Sequence, residues 1–164
     1  MAYERLLTVG VYGFDAESFF AALEAAGVDA VWDVRQRRAV RGADYAFANA
    51  KRLERRLAEA GVGYAHLTEL APSAELRGFL QDLDRQAGVR HRTRTTLPAP
   101  FVERYRAEVL DPVDLTEVAA SAGQAARPAL LCVEGVPEAC HRSLAAAALA
   151  EALGVRVTHL RVGG

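Results

Sequence analysis

Short apolar runs alternate along this chain with longer segments in which apolar residues recur at helical spacing. A short, nearly continuous apolar run is typical of a strand that is buried on both faces of a sheet. By this criterion the sequence predicts strands at residues 6–11, 30–34, 62–67, 129–133 and 155–160. The clearest of them is the run Ala-Leu-Leu-Cys-Val at residues 129–133.

Helices are predicted between these strands from apolar spacing and from residues that favour helix ends. Asp15 and Ser73 are good N-cap residues, and Gly27, Gly61 and Gly154 each follow a segment of helical pattern. The predicted helices cover residues 18–26, 49–60, 73–83, 101–110, 113–122 and 141–153. Strands that alternate with helices predict an α/β fold. We expect a single domain over residues 1–164, with a mostly parallel five-stranded sheet and helices on both faces.

In sheets of this kind ligands bind beyond the carboxyl ends of the strands. The segments predicted at that edge are 11–15, 33–41, 66–72 and 132–142. The last is the most informative, because the chain leaves a buried strand at Cys132, turns through Gly135 and Pro137, and enters a helix at about His141. The unpaired backbone N–H groups of a first helical turn suit an anion.

Three adjacent side chains at the start of this helix have reactive or anion-binding chemistry. Cys140 is expected to have a lowered pKa there, and His141 can act as acid or base. Arg142 can hold a phosphate or carboxylate through two hydrogen bonds, and Ser143 is grouped with it as ligand-binding. The predicted catalytic residues are Cys140, His141, Asp33 and Glu134, in which either carboxylate would orient His141 or act as the base. Alternatively, Arg142 has a purely structural role, in which it pairs with Glu134 or Asp33 and does not contact a ligand.

Arginines also cluster after the second predicted strand and before Pro98. Asp33 and Arg35 fall on one face of that strand, and we expect Arg35 and Glu69 to contact ligand. Guanidinium groups at the carboxyl edge suit a polyanion, so a non-catalytic DNA- or RNA-binding module is an alternative function. The residues of that alternative are Arg37, Arg38, Arg41, Arg90, Arg92 and Arg94. Alternatively, the arginines belong to two solvent-exposed loops that bind nothing.

Composition restricts the classes of function. The chain has 164 residues, of which 20 are basic and 21 acidic, and the formal net charge of −1 argues against attraction of the whole molecule to nucleic acid. No apolar run is long enough to span a bilayer, and no secretory signal opens the chain, so we expect a cytoplasmic protein without a membrane partner. Two cysteines are too few for a disulfide scaffold.

The cysteines leave a third function open, that of a thiol redox or metal-handling protein. Cys132, Cys140 and His141 with one further histidine would supply four zinc ligands. The spacing contains no short Cys-x-x-Cys pair, and the adjacent Cys140 and His141 are expected to point in different directions on a helix. We therefore predict neither a metal nor another cofactor. A reversible Cys132–Cys140 disulfide remains an alternative.

The sequence resembles the Domain of Unknown Function 488 family over nearly its whole length. The resemblance includes the segments at residues 8–10, 31–35, 61–64, 130–134 and 140–143, together with Phe19, Phe20, His66 and Glu69. The most specific part is a Cys-x-Glu at Cys132 followed closely by Cys140-His141-Arg142. The resemblance implies a compact α/β domain in which Asp33, Arg35, Glu134, Cys140, His141 and Arg142 lie near one pocket. A rhodanese-like domain is a weaker analogy, because its cysteine and arginine are spaced further apart.

The chain also departs from the family pattern at expected pocket positions. Gly10-Val11-Tyr12 replaces the usual Gly-His-Ser, and Leu70-Ala71-Pro72 replaces a Leu-Gly-Gly. The sequence contains no P-loop, dinucleotide-binding glycine motif or Gly-x-Ser-x-Gly elbow. From Cys140, His141 and Arg142 at the start of the last helix, we expect an enzyme or a domain derived from one. It would bind a small phosphorylated ligand or a nucleic-acid component and catalyse hydrolysis or group transfer.

Overall fold

The computed structural model describes residues 2–90 and 93–163 and contains one parallel sheet. Its strands are β1 (Leu6–Gly10), β2 (Ala30–Asp33), β3 (Gly63–His66), β4 (Pro128–Cys132) and β5 (Val157–His159). They are arranged in the order β3-β2-β4-β1-β5, and all four pairings are parallel. The predicted five-stranded α/β architecture is thereby confirmed, with β4 in the centre.

Six α-helices connect the strands in the described part of the chain. They are α1 (Ala16–Ala25), α2 (Ala50–Glu59), α3 (Ala74–Ala87), α4 (Ala99–Tyr105), α5 (Leu115–Ser121) and α6 (His141–Leu153). Asp15 caps α1 by accepting a hydrogen bond from the Ser18 backbone N–H, as its residue type predicts. Gly154 ends α6 in the left-handed conformation, with φ at 70°, which a glycine adopts without steric cost.

Each face of the sheet has its own apolar core. Helices α1 and α2 cover one face through Phe19, Leu23, Leu53 and Leu57. The remaining helices cover the other face, where Trp32 of β2 lies among Phe101, Tyr105 and Leu149. Because Ala145, Ala146 and Ala150 are the small buried residues of α6, that helix lies close to β1 and β4. Its first residue is thereby brought to the carboxyl edge of the central strand.

The element bounds differ from the prediction in two physical respects. Four strands are slightly shorter than their apolar runs, since regular pairing ends where the chain turns out of the sheet, and β4 begins and ends one residue earlier than its run. The helix predicted at residues 101–110 ends as α4 at Tyr105 and continues as a π-helical turn, Arg106–Leu110, in which the Asp111 N–H donates to the Arg106 carbonyl. No helix in the described part of the chain is both long and apolar enough to cross a bilayer.

Candidate functional site

A cavity of about 420 Å³ opens at the carboxyl edge of the sheet, where the sheet rule predicts it. Its walls come from the segment after β2, from α3, from the segment before α4, and from the loop between β4 and α6. Leu80, Leu97 and Phe101 form an apolar wall. Cys132, Glu134, Cys140 and His141 are the lining residues with acid, base or nucleophilic chemistry.

Cys132, Cys140 and His141, here called the thiol–histidine cluster, lie together beside this cavity. The His141 Nδ1 atom is 3.7 Å from the Cys132 Sγ atom and 4.0 Å from the Cys140 Sγ atom. Both cysteines are free and buried. The expectation that Cys140 and His141 point in different directions is wrong, because Cys140 is the N-cap residue of α6 and has extended backbone, so its side chain turns back towards the ring.

The His141 ring is oriented by a backbone carbonyl. Its Nε2 atom lies 2.9 Å from the carbonyl oxygen of Val34, directly after β2. A carbonyl oxygen only accepts hydrogen bonds, so Nε2 carries the proton and Nδ1 faces the two sulfur atoms. The sequence predicted that Asp33 or Glu134 would orient this ring; the group that does so is the main chain of Val34, which no side-chain pattern reveals.

The two thiols of the cluster have opposite acidities. Burial raises the pKa of Cys140, but a hydrogen bond from Cys132 and the positive charge of His141 outweigh it and hold this pKa well below its usual value. The hydrogen bond to Cys140, with burial, raises the pKa of Cys132 well above its usual value. Burial lowers the pKa of His141, but the Cys140 charge raises it more. The cluster therefore favours a Cys140 thiolate beside a His141 imidazolium.

Glu134 joins the cluster to a buried arginine. One carboxylate oxygen lies 3.8 Å from the Cys132 Sγ atom, and the other lies 3.6 Å from Nη2 of Arg94. Burial and the adjacent Cys140 thiolate raise the pKa of Glu134 to about 8, against the opposing effect of His141 and Arg94. Glu134 thus holds a proton at neutral pH and is able to donate it.

Arg94 is a buried cation in the wall of the cavity, where the sequence suggested an exposed loop residue. Its side chain is 3% exposed and faces Asp84 and Glu134, each at 3.6 Å. Its Nε and Nη1 atoms have no hydrogen-bond acceptor among the described residues. A buried guanidinium with unsatisfied donors at a cavity wall is suited to an acceptor from a ligand.

Arg142 lies behind the cavity and does not line it. The side chain is fully buried; its Nε atom donates to the Thr8 hydroxyl at 3.2 Å, and its Nη1 atom donates to the Glu134 carbonyl. Arg142 thus has the structural role given as the alternative to ligand binding, and its partner is the main chain of Glu134. Ser143 is also occupied locally, since its hydroxyl donates to the Cys140 carbonyl at 2.8 Å. Neither side chain reaches a ligand in the cavity without rearrangement.

Asp33 and Arg35 pair with one another below the cavity. Arg35 donates to both carboxylate oxygens of Asp33, and the Tyr64 hydroxyl donates to Oδ2 at 2.6 Å. Asp33 is completely buried and does not line the cavity, whereas Arg35 contributes to its floor. Asp33 therefore neutralises Arg35 and is not positioned to act as the catalytic base.

Three further arginines surround the opening. Arg37, Arg41 and Arg77 line the cavity, and Arg77 donates to the neutral side chain of Gln36. In residues 2–90 and 93–163 none of the three forms an ion pair with a carboxylate, so their charges are not compensated locally. We call them the rim arginines. Arg77 was not among the predicted site residues, because the sequence of a helix does not show which of its arginines borders a cavity.

The other predicted residues lie elsewhere. Arg38 pairs with Glu54 at 3.0 Å, and Arg90 is exposed and does not line the cavity. Arg92 and its neighbour His91 lie outside the described residues. Glu69 is exposed in a separate depression beside Pro72 and does not line the cavity. Of the two predicted arginine clusters, Arg37, Arg41 and Arg94 line the cavity, whereas Arg38 and Arg90 do not.

All described lining residues of the cavity except Tyr12 fall within the match to one family model. The family model described as Domain of unknown function DUF488 matches residues 15–149. The chain belongs to the DUF488 family. No curated protein and no solved structure matches the chain. The DUF488 match covers β2, β4, most of α6 and the loop between β4 and α6 at residues 133–140, here called the cysteine loop. It therefore includes every residue of the thiol–histidine cluster.

Proposed function

We propose that this protein is an enzyme that binds a phosphate-bearing ligand, either a nucleotide or a nucleic-acid component, in the cavity and catalyses its hydrolysis or group transfer. The observation that carries this proposal is the guanidinium of Arg94, buried in the cavity wall with two donor atoms that have no acceptor in the described residues. Phosphate oxygens supply such acceptors.

The charges around the cavity support an anionic ligand. Arg35 is neutralised by Asp33, but the rim arginines have no carboxylate partner in the described part of the chain. Glu134 is the only acidic side chain among the described lining residues, and its raised pKa of about 8 leaves it protonated at neutral pH. The cavity is therefore cationic, although the chain as a whole has a formal net charge of −1.

The thiol–histidine cluster supplies the reacting groups. In the metal-free protein the Cys140 thiolate attacks the phosphorus atom, an S–P bond forms, and the bond from phosphorus to the leaving group breaks. The leaving group takes a proton from Glu134. Water then attacks the phosphorus atom and gives a proton to the Glu134 carboxylate, and the S–P bond breaks to release phosphate and the Cys140 thiolate; an acceptor hydroxyl in place of water gives group transfer. A cytoplasmic setting keeps both thiols reduced, as this step requires.

The apolar wall of the cavity favours a ligand with a nucleobase or a similar group attached to its phosphate. Leu80, Leu97 and Phe101 line the same cavity as the rim arginines. A ligand that contacts both groups of residues gains apolar burial in addition to charge-assisted hydrogen bonds. We therefore expect nucleoside monophosphates to bind more tightly than inorganic phosphate.

Titration calorimetry with inorganic phosphate and with nucleoside 5′-monophosphates tests this function. Arg77→Ala is expected to weaken binding about tenfold or more, because a hydrogen bond to a charged group contributes roughly 1.5–3 kcal/mol. The control is Arg85→Ala, which removes an exposed arginine from the same helix but outside the cavity. Equal affinities in the two variants, or no binding by the wild type, would overturn the proposal.

A further inference from the structure

We propose that the thiol–histidine cluster is a binding site for one thiophilic divalent metal ion, such as Zn²⁺, with the Glu134 carboxylate as a fourth ligand. The donor atoms are the Sγ atoms of Cys132 and Cys140 and Nδ1 of His141, and all three lie within 4.8 Å of one another. The spacing of these residues and the expected side-chain directions argue against a metal, and the structure removes the second of these objections.

The separations between donor atoms are close to those of a tetrahedral site. Zinc bonds of about 2.0–2.3 Å imply separations between ligands of roughly 3.3–3.8 Å. His141 Nδ1 lies 3.7 Å from Cys132 Sγ and 4.0 Å from Cys140 Sγ. The Glu134 Oε2 atom is 3.8 Å from Cys132 Sγ, within reach of the same ion. Because all three cluster atoms lie within 4.8 Å of one another, side-chain rotation that shortens the widest separation by about 1 Å or less would complete the site.

The hydrogen bond between His141 and Val34 is an independent argument for this site. A histidine that binds a metal typically donates its other ring N–H to a carbonyl or carboxylate, which fixes both the tautomer and the ring orientation. In this protein Nε2 donates to the Val34 carbonyl at 2.9 Å, so that the lone pair of the neutral ring is on Nδ1, facing the sulfur atoms. The histidine is therefore already arranged as a metal ligand.

Nearby charges favour a bound cation. Two thiolates neutralise a divalent cation, and Arg94, which faces both Asp84 and Glu134 at 3.6 Å, offsets part of the negative charge of these two carboxylates. Thiolate and imidazole ligands select zinc over magnesium or calcium. Binding would release the protons that Cys132, Glu134 and Nδ1 of the His141 imidazolium hold in the metal-free protein.

The inference goes beyond the proposed function and does not depend on it. A thiolate bound to the ion is not free to attack phosphorus, so a loaded cluster suppresses the thiol-dependent reaction that we propose for the metal-free protein. The rim arginines are unaffected. The proposals of phosphate binding and of metal binding can therefore be disproved independently, because each is tested by its own measurement.

The test uses the full chain, treated with a chelator under reducing conditions and titrated with Co²⁺ and then Zn²⁺. The chain has only two cysteines, so thiolate-to-cobalt charge-transfer bands arise only from Cys132 and Cys140. We expect one Co²⁺ per chain, the charge-transfer bands, intense tetrahedral visible bands, and displacement by Zn²⁺. Cobalt that gives only the weak visible bands of octahedral coordination, or no saturable binding, would overturn the inference.

Variants locate the site. Cys132→Ser and Cys140→Ser are each expected to lower Zn²⁺ affinity at least tenfold, measured by competition with a chromophoric chelator. The control His159→Gln removes a histidine outside the cluster and should bind as the wild type does. Should a serine variant fail to fold, alkylation of wild-type Cys140 decides the matter. Protection of that thiol by one equivalent of Zn²⁺ supports the site, and unchanged alkylation contradicts it.

Discussion

Arg35 holds the carboxylate of Asp33 from two directions: Nε donates to Oδ1 at 2.8 Å, and Nη2 donates to Oδ2 at 2.7 Å, with both residues buried. Asp33→Asn would leave the guanidinium buried without a counter-charge. We expect a loss of about 3–5 kcal/mol in the free energy of unfolding, measured by urea denaturation. Glu54→Gln breaks the more exposed ion pair to Arg38 and should cost less than about 1 kcal/mol. Similar losses in the two variants would contradict the structural role of Asp33.

Gly10, at the end of β1, has no space for a side chain. A Cβ atom there would lie 1.8 Å from the carbonyl oxygen of Glu134, so the cysteine loop would have to move. We expect Gly10→Ala to lower the melting temperature and to abolish metal binding as well as phosphate binding. The control is Gly78→Ala in α3, where a Cβ meets nothing within 4 Å and the gain in helix propensity is about 0.5–1 kcal/mol. A Gly10→Ala protein with wild-type stability would show that the loop is not fixed against β1.

Arg142 connects the same loop to β1 through its hydrogen bonds to the Thr8 hydroxyl and the Glu134 carbonyl. Arg142→Ala removes a fully buried side chain and leaves both acceptors without it. The expected loss of stability is roughly 3 kcal/mol. Thermal unfolding with and without phosphate distinguishes the roles, because a purely ligand-binding Arg142 would leave the melting temperature of the unliganded protein unchanged.

The acidity of Cys140 gives a pH dependence whose direction is fixed. Its pKa is well below its usual value in the folded protein, and in the unfolded chain it returns to that value. Thiolate formation therefore stabilises the fold: this contribution is complete above the ordinary cysteine pKa, smaller at neutral pH, and lost as the pH falls through the lowered pKa. Ultraviolet thiolate absorbance of the metal-free protein should show one thiolate at neutral pH, which acid or urea removes. Cys140→Ser should lack the signal; its persistence in that variant would assign it to Cys132.

Binding to nucleic acid distinguishes the alternative function from the proposed one. The rim arginines are too few for a long groove, so we expect weak binding to single-stranded DNA or RNA, with a salt dependence of no more than about three charges. Replacement of Arg37 and Arg41 by Ala should flatten that dependence, as measured by fluorescence anisotropy. A steep salt dependence that survives this double substitution would favour a surface outside the cavity.

The order and type of the elements were predictable from sequence because buried parallel strands are almost continuously apolar. The run at residues 129–133 nearly coincides with β4, and the Ala-Leu helix from His141 to Leu153 has the predicted bounds. The π-helical turn after Tyr105 was not predictable, because its residues are compatible with an ordinary helix. Packing decides how such a helix ends.

The site was predictable only in part. Residue types at the carboxyl edge indicated Cys140, His141 and Glu134, and all three line the cavity. The roles of the arginines could not be predicted from the sequence. Both Arg142 and Arg94 are buried, but only Arg94 lines the cavity. The orientation of His141 by the Val34 carbonyl could not be predicted either, because every residue has a main-chain carbonyl. Side-chain chemistry can be read from a sequence, whereas partners and orientation arise from the fold.

The strand order has a consequence for how the chain is made. The two neighbours of β1 are β4 and β5, which begin at Pro128 and Val157, so β1 emerges from the ribosome long before either partner exists. Until then β2 can pair only with β3, and the edge that carries the thiols has no central strand. A nascent chain that stalls before residue 128 therefore exposes the apolar faces of β1 and β2 together, and folding of the whole domain waits for its last quarter.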